Sequence, residues 1–282
     1  MNFHLPTAEI YIPDGVSKEQ ALQRTTHLAV AAHPDDLEIM AAAPILDCFQ
    51  RDDRWFTGVV VTDGRGSPRT GHYEHFGDEA MRQVRFKEQR KAAVAGEYGA
   101  LILLDYPSQM VKEAANRQPV ADLRALLQAA GPQFVYTHNL ADKHDTHVAV
   151  ALRTLAALRG LAAEARPQAL YGCEVWRGLD WLVEVDRVVL EVSDNEPLQQ
   201  ALLGVFASQI AGGKRYDLAA MGRRRANATF SDPHEVDQAA GVIFGMDLTP
   251  LISDPDQEIG PFVQAFVRRL GEDIGERLRR MG

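Results

Sequence analysis

Cysteine is scarce in this chain: Cys48 and Cys173 are the only two among 282 residues. Neither belongs to a CxxC pair, so neither a disulfide framework nor a thiolate metal knuckle is available. Both are read as small buried side chains in a reducing, cytoplasmic setting. Long apolar runs are missing too, and no stretch reaches the ~20 residues that a membrane span needs. The opening Met1-Asn2-Phe3-His4-Leu5-Pro6 lacks a basic segment followed by an apolar core, so no signal peptide is expected. Excess positive charge is absent: 39 acidic residues outnumber 30 basic ones, for a net charge of −9. That argues against nucleic acid as a partner, since phosphate contacts need a clustered basic surface. The short runs Arg223-Arg224-Arg225 and Arg268-Arg269 read as solvated faces. No Gly-x-Gly-x-x-Gly phosphate loop is present, which weakens dinucleotide binding. Internal repeats, low-complexity tracts and Pro-Gly linkers are also missing. One domain over 1–282 is therefore expected, with a core at about 26–195 and a C-terminal elaboration at about 196–282.

What is present is an alternation of apolar runs and helical patterns on a chain that is 46% hydrophobic. Strand candidates lie at 26–32, 55–62, 100–105, 134–137, 169–175 and 187–192. Helical patterns occupy 36–50, 79–98, 120–130 and 147–165, with Pro44 marking a kink or a late start in the first. Residues 1–25 read as an irregular arm with a short polar helix, and 195–282 as mainly helix and loop. Alternation of this kind predicts an α/β fold: a doubly wound, Rossmann-like, mostly parallel sheet with helices on both faces.

The stretch Ala31-Ala32-His33-Pro34-Asp35-Asp36-Leu37-Glu38 closes the first strand of that alternation. It places one imidazole and two adjacent carboxylates at the carboxyl end of a strand, where doubly wound sheets bind ligands. Such residues suit a divalent metal with a carboxylate to spare. By itself the segment also fits a turn with an aspartate helix cap. A second cluster, Asp142-Lys143-His144-Asp145-Thr146-His147, follows the fourth strand and falls on the same rim of the sheet. By itself that pair of histidines fits an ordinary surface, so convergence of the two clusters is the informative observation.

The first segment resembles the A-H-P-D-D-x-E signature of the PIG-L/LmbE family of zinc-dependent N-deacetylases. The second partly resembles that family's H-P-D-H segment, and Arg85-Phe86-Lys87-Glu88 its R-x-x-E. The resemblance covers roughly 26–165. It implies His33, Asp36 and His147 as zinc ligands (iron can replace zinc in such sets), Asp35 as general base, and His144 as the electrophilic or general-acid histidine. Arg85 is implied as a substrate contact, with a plain salt bridge as its alternative. The family's acidic residue before the last histidine is replaced by Thr146, so a carboxylate orienting His144 would come from Asp145 or Asp142, or be missing. The resemblance implies removal of an acyl group, acetyl in the first instance, from an N-acetylglucosamine-type sugar conjugate. A homo-oligomer is compatible with the sequence. A two-metal phosphoesterase needs more carboxylates than the two clusters supply, and a non-catalytic binding module would be expected to lack a ligand or the base.

Other features stay open at this level. His72 and His75 lie in a polar loop that could cover a site. His138 ends a strand and could support the cluster. Trp176 and Trp181, with Glu174 and Arg177, could face a sugar or the core. Ser208-Gln209 and Arg223-Arg224-Arg225-Ala226-Asn227 could reach the substrate from the C-terminal region.

Overall fold

The computed structural model describes residues 1–230 and 234–282. Strands β1 (Glu9–Tyr11), β2 (His27–Ala31), β3 (Phe56–Thr62), β4 (Ala100–Tyr106), β5 (Phe134–His138), β6 (Ala169–Cys173), β7 (Arg187–Glu191) and β8 (Val242–Asp247) form one sheet. It has eight strands in the order β1-β4-β3-β2-β5-β6-β8-β7. The run β4-β3-β2-β5-β6 is parallel throughout. β1 pairs antiparallel with β4 at one edge, and β8 and β7 close the other edge antiparallel.

Burial on both faces explains why the central strands read as continuous apolar runs. Every residue of β2, β3 and β4 is buried. Alternate side chains enter opposite cores, as the two-residue period of a strand requires. Leu28, Val30, Val59, Val61, Ile102 and Leu104 join one core, and Ala29, Ala31, Val60, Leu101 and Leu103 the other. On the second face the small residues bring helix Asp36–Met40 close to the sheet. A Cβ at Gly58 would sit 2.7 Å from the Leu37 Cδ1, so any larger residue there would make the leucine side chain shift. Both cysteines are buried and free.

Several expectations need correction. The helix expected over 36–50 is two helices, Asp36–Met40 and Ala42–Cys48, hinged at Ala41 (φ −111°, ψ 25°). Pro44 lies in the first turn of the second, where its missing N–H leaves no intrahelical bond unmade. The helix expected at 147–165 is Asp145–Arg159, which puts His147 in its first turn. The C-terminal region is not only helix and loop, because it supplies β8, inserted between β6 and β7. Its run Val242-Ile243-Phe244-Gly245-Met246 is fully buried and carries no alternation to mark it as a strand. The N-terminal arm likewise contributes β1.

Strand order reverses between β2 and β5, since β3 and β4 lie beyond β2 and β6 beyond β5. The loops leaving the carboxyl ends of β2 and β5 therefore diverge to opposite sides and open a crevice, the usual ligand position in such sheets. Both sequence clusters leave from these two strand ends.

Candidate metal centre

The loop after β2 is held in a sharp conformation. Asp35 has φ +94°, a left-handed value that aspartate tolerates better than most side chains. Its N–H donates to Gln89 Oε1 at 3.0 Å, and Gln89 Nε2 donates to the buried Glu38 at 2.7 Å. Tyr98 Oη donates to the same Glu38 oxygen at 2.7 Å. This chain of bonds, rooted between β2 and helix Asp78–Ala95, fixes the turn so that the two neighbouring aspartates face opposite ways.

Asp36 faces the histidines. Its Oδ2 lies 3.2 Å from His33 Nδ1 and 3.3 Å from His147 Nε2, and those two nitrogens are 3.2 Å apart. Burial would raise the Asp36 carboxyl. The charge and hydrogen bond of His147, the bond from His33 and the charge of His138 overcome it and hold the group well below the ordinary carboxylate range. Burial disfavours the His147 imidazolium, but Asp36 and Asp142 raise its pKa to about 9.

Asp35 faces Arg85, with Oδ2 3.3 Å from Nη2. Burial pushes its carboxyl up to about 7 against the pull of that guanidinium. Arg85 also donates to the Pro34 carbonyl and, at 2.7 Å, to Ser67 Oγ. It thus pins the His-Pro-Asp-Asp turn while lining the cavity above it.

Asp142 Oδ2 lies 3.4 Å from His147 Nδ1 and accepts the Trp176 N–H at 3.2 Å. Asp142 Oδ1 accepts only the backbone N–H of His144, at 3.0 Å. Asp142 therefore orients His147, and the His144 ring has no carboxylate on it. The buried His144 Nδ1 has no hydrogen-bond partner, and Asp145 is exposed. Burial, followed by the charges of His147 and His33, lowers the His144 pKa to about 4, so this imidazole is neutral at pH 7.

His138 lies deeper than a strand-end residue suggests. It is fully buried and stacks on His147 with centroids 3.9 Å apart. Its Nε2 accepts the Ala32 N–H at 2.8 Å, so that lone pair is already used. Although Asp36, His138 and His147 lie close enough to form a metal set, His138 is better described as a prop beneath His147. Its position as the last residue of β5 was the only sequence signal for it.

Above the cluster opens a cavity of about 680 Å³. His33, Asp35, Asp36, Arg85 and His144 form its floor, so five of the six residues singled out from the sequence reach it. His147 lies beneath them, 4.5 Å from the His144 ring. The wall comes from later in the chain: Trp176 after β6, Gln209 and Lys214 before helix Tyr216–Thr229, and Tyr216 and Arg223 on it. Trp181 and Glu174 do not line it, and neither do His72 or His75. Glu174 is buried, accepting the N–H of Leu179 at 2.9 Å and Asn227 Nδ2 at 2.5 Å. The run Arg223-Arg224-Arg225 is not one solvated face. Arg223 lines the cavity, and the buried Arg224 donates to the Glu38 carbonyl at 2.7 Å. Arg225 alone pairs at the surface, with Glu196. Ser208 is turned away, donating to Glu88 from both its N–H and its hydroxyl.

The spacing of the donor set matches zinc. Bonds of roughly 2.0–2.1 Å to a tetrahedral ion place ligand atoms about 3.3–3.4 Å apart. The three separations here are 3.2, 3.2 and 3.3 Å. Two imidazoles and one carboxylate suit that ion and leave a coordination position for substrate or water. The residues fit.

An open α/β sheet with a histidine–aspartate centre at its switch point defines an LmbE-like architecture. Residues 28–158 match the family model described as PIG-L, GlcNAc-PI de-N-acetylase, and this part of the chain is a PIG-L family domain. Among solved structures, the 4-carboxy-2-hydroxymuconate hydratase GalB of Pseudomonas putida superposes with a TM-score of 0.61 at 17% identity, covering 79% of this chain and 96% of its own. A conserved protein of Thermus thermophilus gives 0.60 at 19% identity, covering 83% and 99%. The N,N'-diacetylchitobiose deacetylase of Pyrococcus horikoshii gives 0.61 at 15% identity, covering 82% and 86%. At these identities the likeness is one of fold. A hydratase and a deacetylase share it, so the reaction must be argued from the site. No curated protein matches the sequence. No helix among the described residues is long and apolar enough to cross a membrane.

Proposed function

We propose that this protein is a zinc-dependent N-deacetylase acting on an N-acetylglucosamine-type conjugate. The observation that carries the reading is the equal spacing of His33 Nδ1, Asp36 Oδ2 and His147 Nε2, at 3.2–3.3 Å, with a second carboxylate turned toward the same cavity. The PIG-L match over residues 28–158 supports the choice of amide hydrolysis. These three residues would hold the ion, with iron as the alternative metal. When bound, zinc supplies a Lewis acid that activates water and polarises the amide carbonyl.

Asp35 takes the proton from the attacking water. Burial holds its carboxyl near neutrality and Arg85 keeps it aimed, two properties a general base needs. His144, neutral and without a carboxylate partner, donates a hydrogen bond to the oxyanion and so assists departure of the amine, which leaves with the proton that Asp35 took from the water. Asp142 holds the His147 ring with its Nε2 toward Asp36 and His33. Arg85 acts chiefly as a positioning residue, since it is 2% exposed and bonded to Pro34, Ser67 and Asp35.

The test is amine release from a panel of N-acetylglucosamine conjugates by the zinc-loaded chain, compared with the same protein after chelation. Release that disappears on chelation and returns with zinc is the expected result. Absence of release from every sugar amide, with one zinc per chain, would overturn the substrate class. Asp142→Ala is expected to weaken zinc affinity by roughly 10–100-fold, the usual weight of a partner behind a histidine ligand. Competition with a chromophoric chelator reads this directly, and unchanged affinity would remove Asp142 from the support of His147.

A further inference from the structure

The cavity wall carries positive charge that no salt bridge among the described residues neutralises. Lys143, Lys214 and Arg223 all line the cavity. They come from the loop after β5, the turn before helix Tyr216–Thr229, and that helix. Two of them stand beside one ring, that of Trp176, and Lys143 lines the same cavity. Lys214 Nζ stands 5.1 Å from the indole centroid. Arg223 is hooked to the carbonyl of Val175, the residue before it. Lys143 precedes His144, whose imidazole stacks on the same indole at 5.9 Å. Among the described residues, none of the three forms an ion pair with a carboxylate, although arginines elsewhere pair freely with aspartate and glutamate.

The acids nearby are already engaged. Asp35 faces Arg85, Asp36 faces the histidines, and Asp142 faces His147. Glu174 lies behind Arg223, but it is buried and holds the N–H groups of Leu179 and Phe244 and the Asn227 amide. In a chain of net charge −9, three cations that line one cavity without a salt bridge to any of them, only Arg223 having a buried carboxylate (Glu174) behind it, form a site for an anion, because gathering like charges is unfavourable until a ligand compensates them.

We propose that Lys143, Lys214 and Arg223, which line the cavity together with Trp176, bind an anionic group, carboxylate or phosphate, on the part of the substrate that is not cleaved. The inference rests on the deacetylase reading for the other end of that substrate. The anion sits one indole and one imidazole away from the His33–Asp36–His147 cluster, so the scissile amide and the charged group belong to different halves of one molecule.

The test separates the two readings by measuring binding without turnover. Metal-free full-length protein is titrated calorimetrically with malonate and, separately, with inorganic phosphate at low ionic strength. One or both anions are expected to bind, and the tighter one identifies the group. Loss of a charge-assisted contact costs about tenfold in affinity, so Lys214→Met/Arg223→Met is expected to weaken binding at least tenfold. Should removal of Arg223 from the Val175 carbonyl prevent folding, Lys143→Gln/Lys214→Gln provides the same comparison. No binding of either anion, or equal binding in the variants, overturns the proposal whatever the enzyme cleaves. In the zinc-loaded chain, an N-acetylglucosamine conjugate with a carboxylate aglycone should show a KM at least tenfold below that of its methyl ester. Equal KM values would place the anion site outside substrate recognition and overturn it as well.

Discussion

His147→Ala is expected to remove zinc and amine release together. His147 is fully buried, and its Nε2 completes the triangle with His33 and Asp36 while Nδ1 is held by Asp142. Loss of a direct ligand should exceed the roughly 10–100-fold carried by an outer partner, leaving less than one zinc per chain after gel filtration. The change also leaves Asp36 and Asp142 buried without the group that favours their charged forms. Breaking a buried pair in this way costs about 3–5 kcal/mol, so a lowered unfolding midpoint should accompany the loss. His147→Gln, closer in volume and still able to donate a hydrogen bond to a buried carboxylate, separates the two effects, since it should recover part of the stability and none of the zinc. One zinc per chain with full turnover in either variant would remove His147 from the ligand set.

Asp35→Asn should give the complementary result: zinc retained, turnover lost. Asparagine accepts the left-handed backbone that Asp35 adopts at φ +94°, and the N–H to Gln89 remains. Arg85 keeps the Pro34 carbonyl and Ser67. What disappears is the ability to take a proton, and general-base catalysis contributes about 10²–10⁴-fold. A fall of that size in kcat, at unchanged zinc content, is the expected outcome. Turnover within fivefold of the parent would assign the base elsewhere.

The sheet and its crevice were legible because burial on two faces leaves a strong trace: unbroken apolar runs separated by helical patterns. The two clusters were legible because they leave neighbouring strand ends. What escaped had no local trace. β8 is a short apolar run, indistinguishable by periodicity from a buried helical turn, and its place between β6 and β7 is set by pairing alone. His138 is one strand-terminal histidine, given meaning only by the ring stacked on it. Gln89 sits mid-helix, 54 positions from the Asp35 N–H it receives. The triplet Arg223-Arg224-Arg225 looks uniform in sequence. Successive helical residues point about 100° apart, which sends one arginine to the cavity, one to the core and one to solvent.

The cavity also divides its labour along the chain. Residues proposed to hold the ion and move protons fall between 33 and 147, inside the stretch that matches the PIG-L model, while Trp176, Lys214, Tyr216 and Arg223 lie beyond it. Apart from Lys143, the residues proposed to cut are therefore written in one passage of the gene and those proposed to choose in another. Selection can redraft the second without touching the first, so two proteins with the same His-Pro-Asp-Asp turn need share no substrate. On this proposal, the preference of such a chain is to be sought in the loop after β6 and in the turn and helix that carry Lys214, Tyr216 and Arg223.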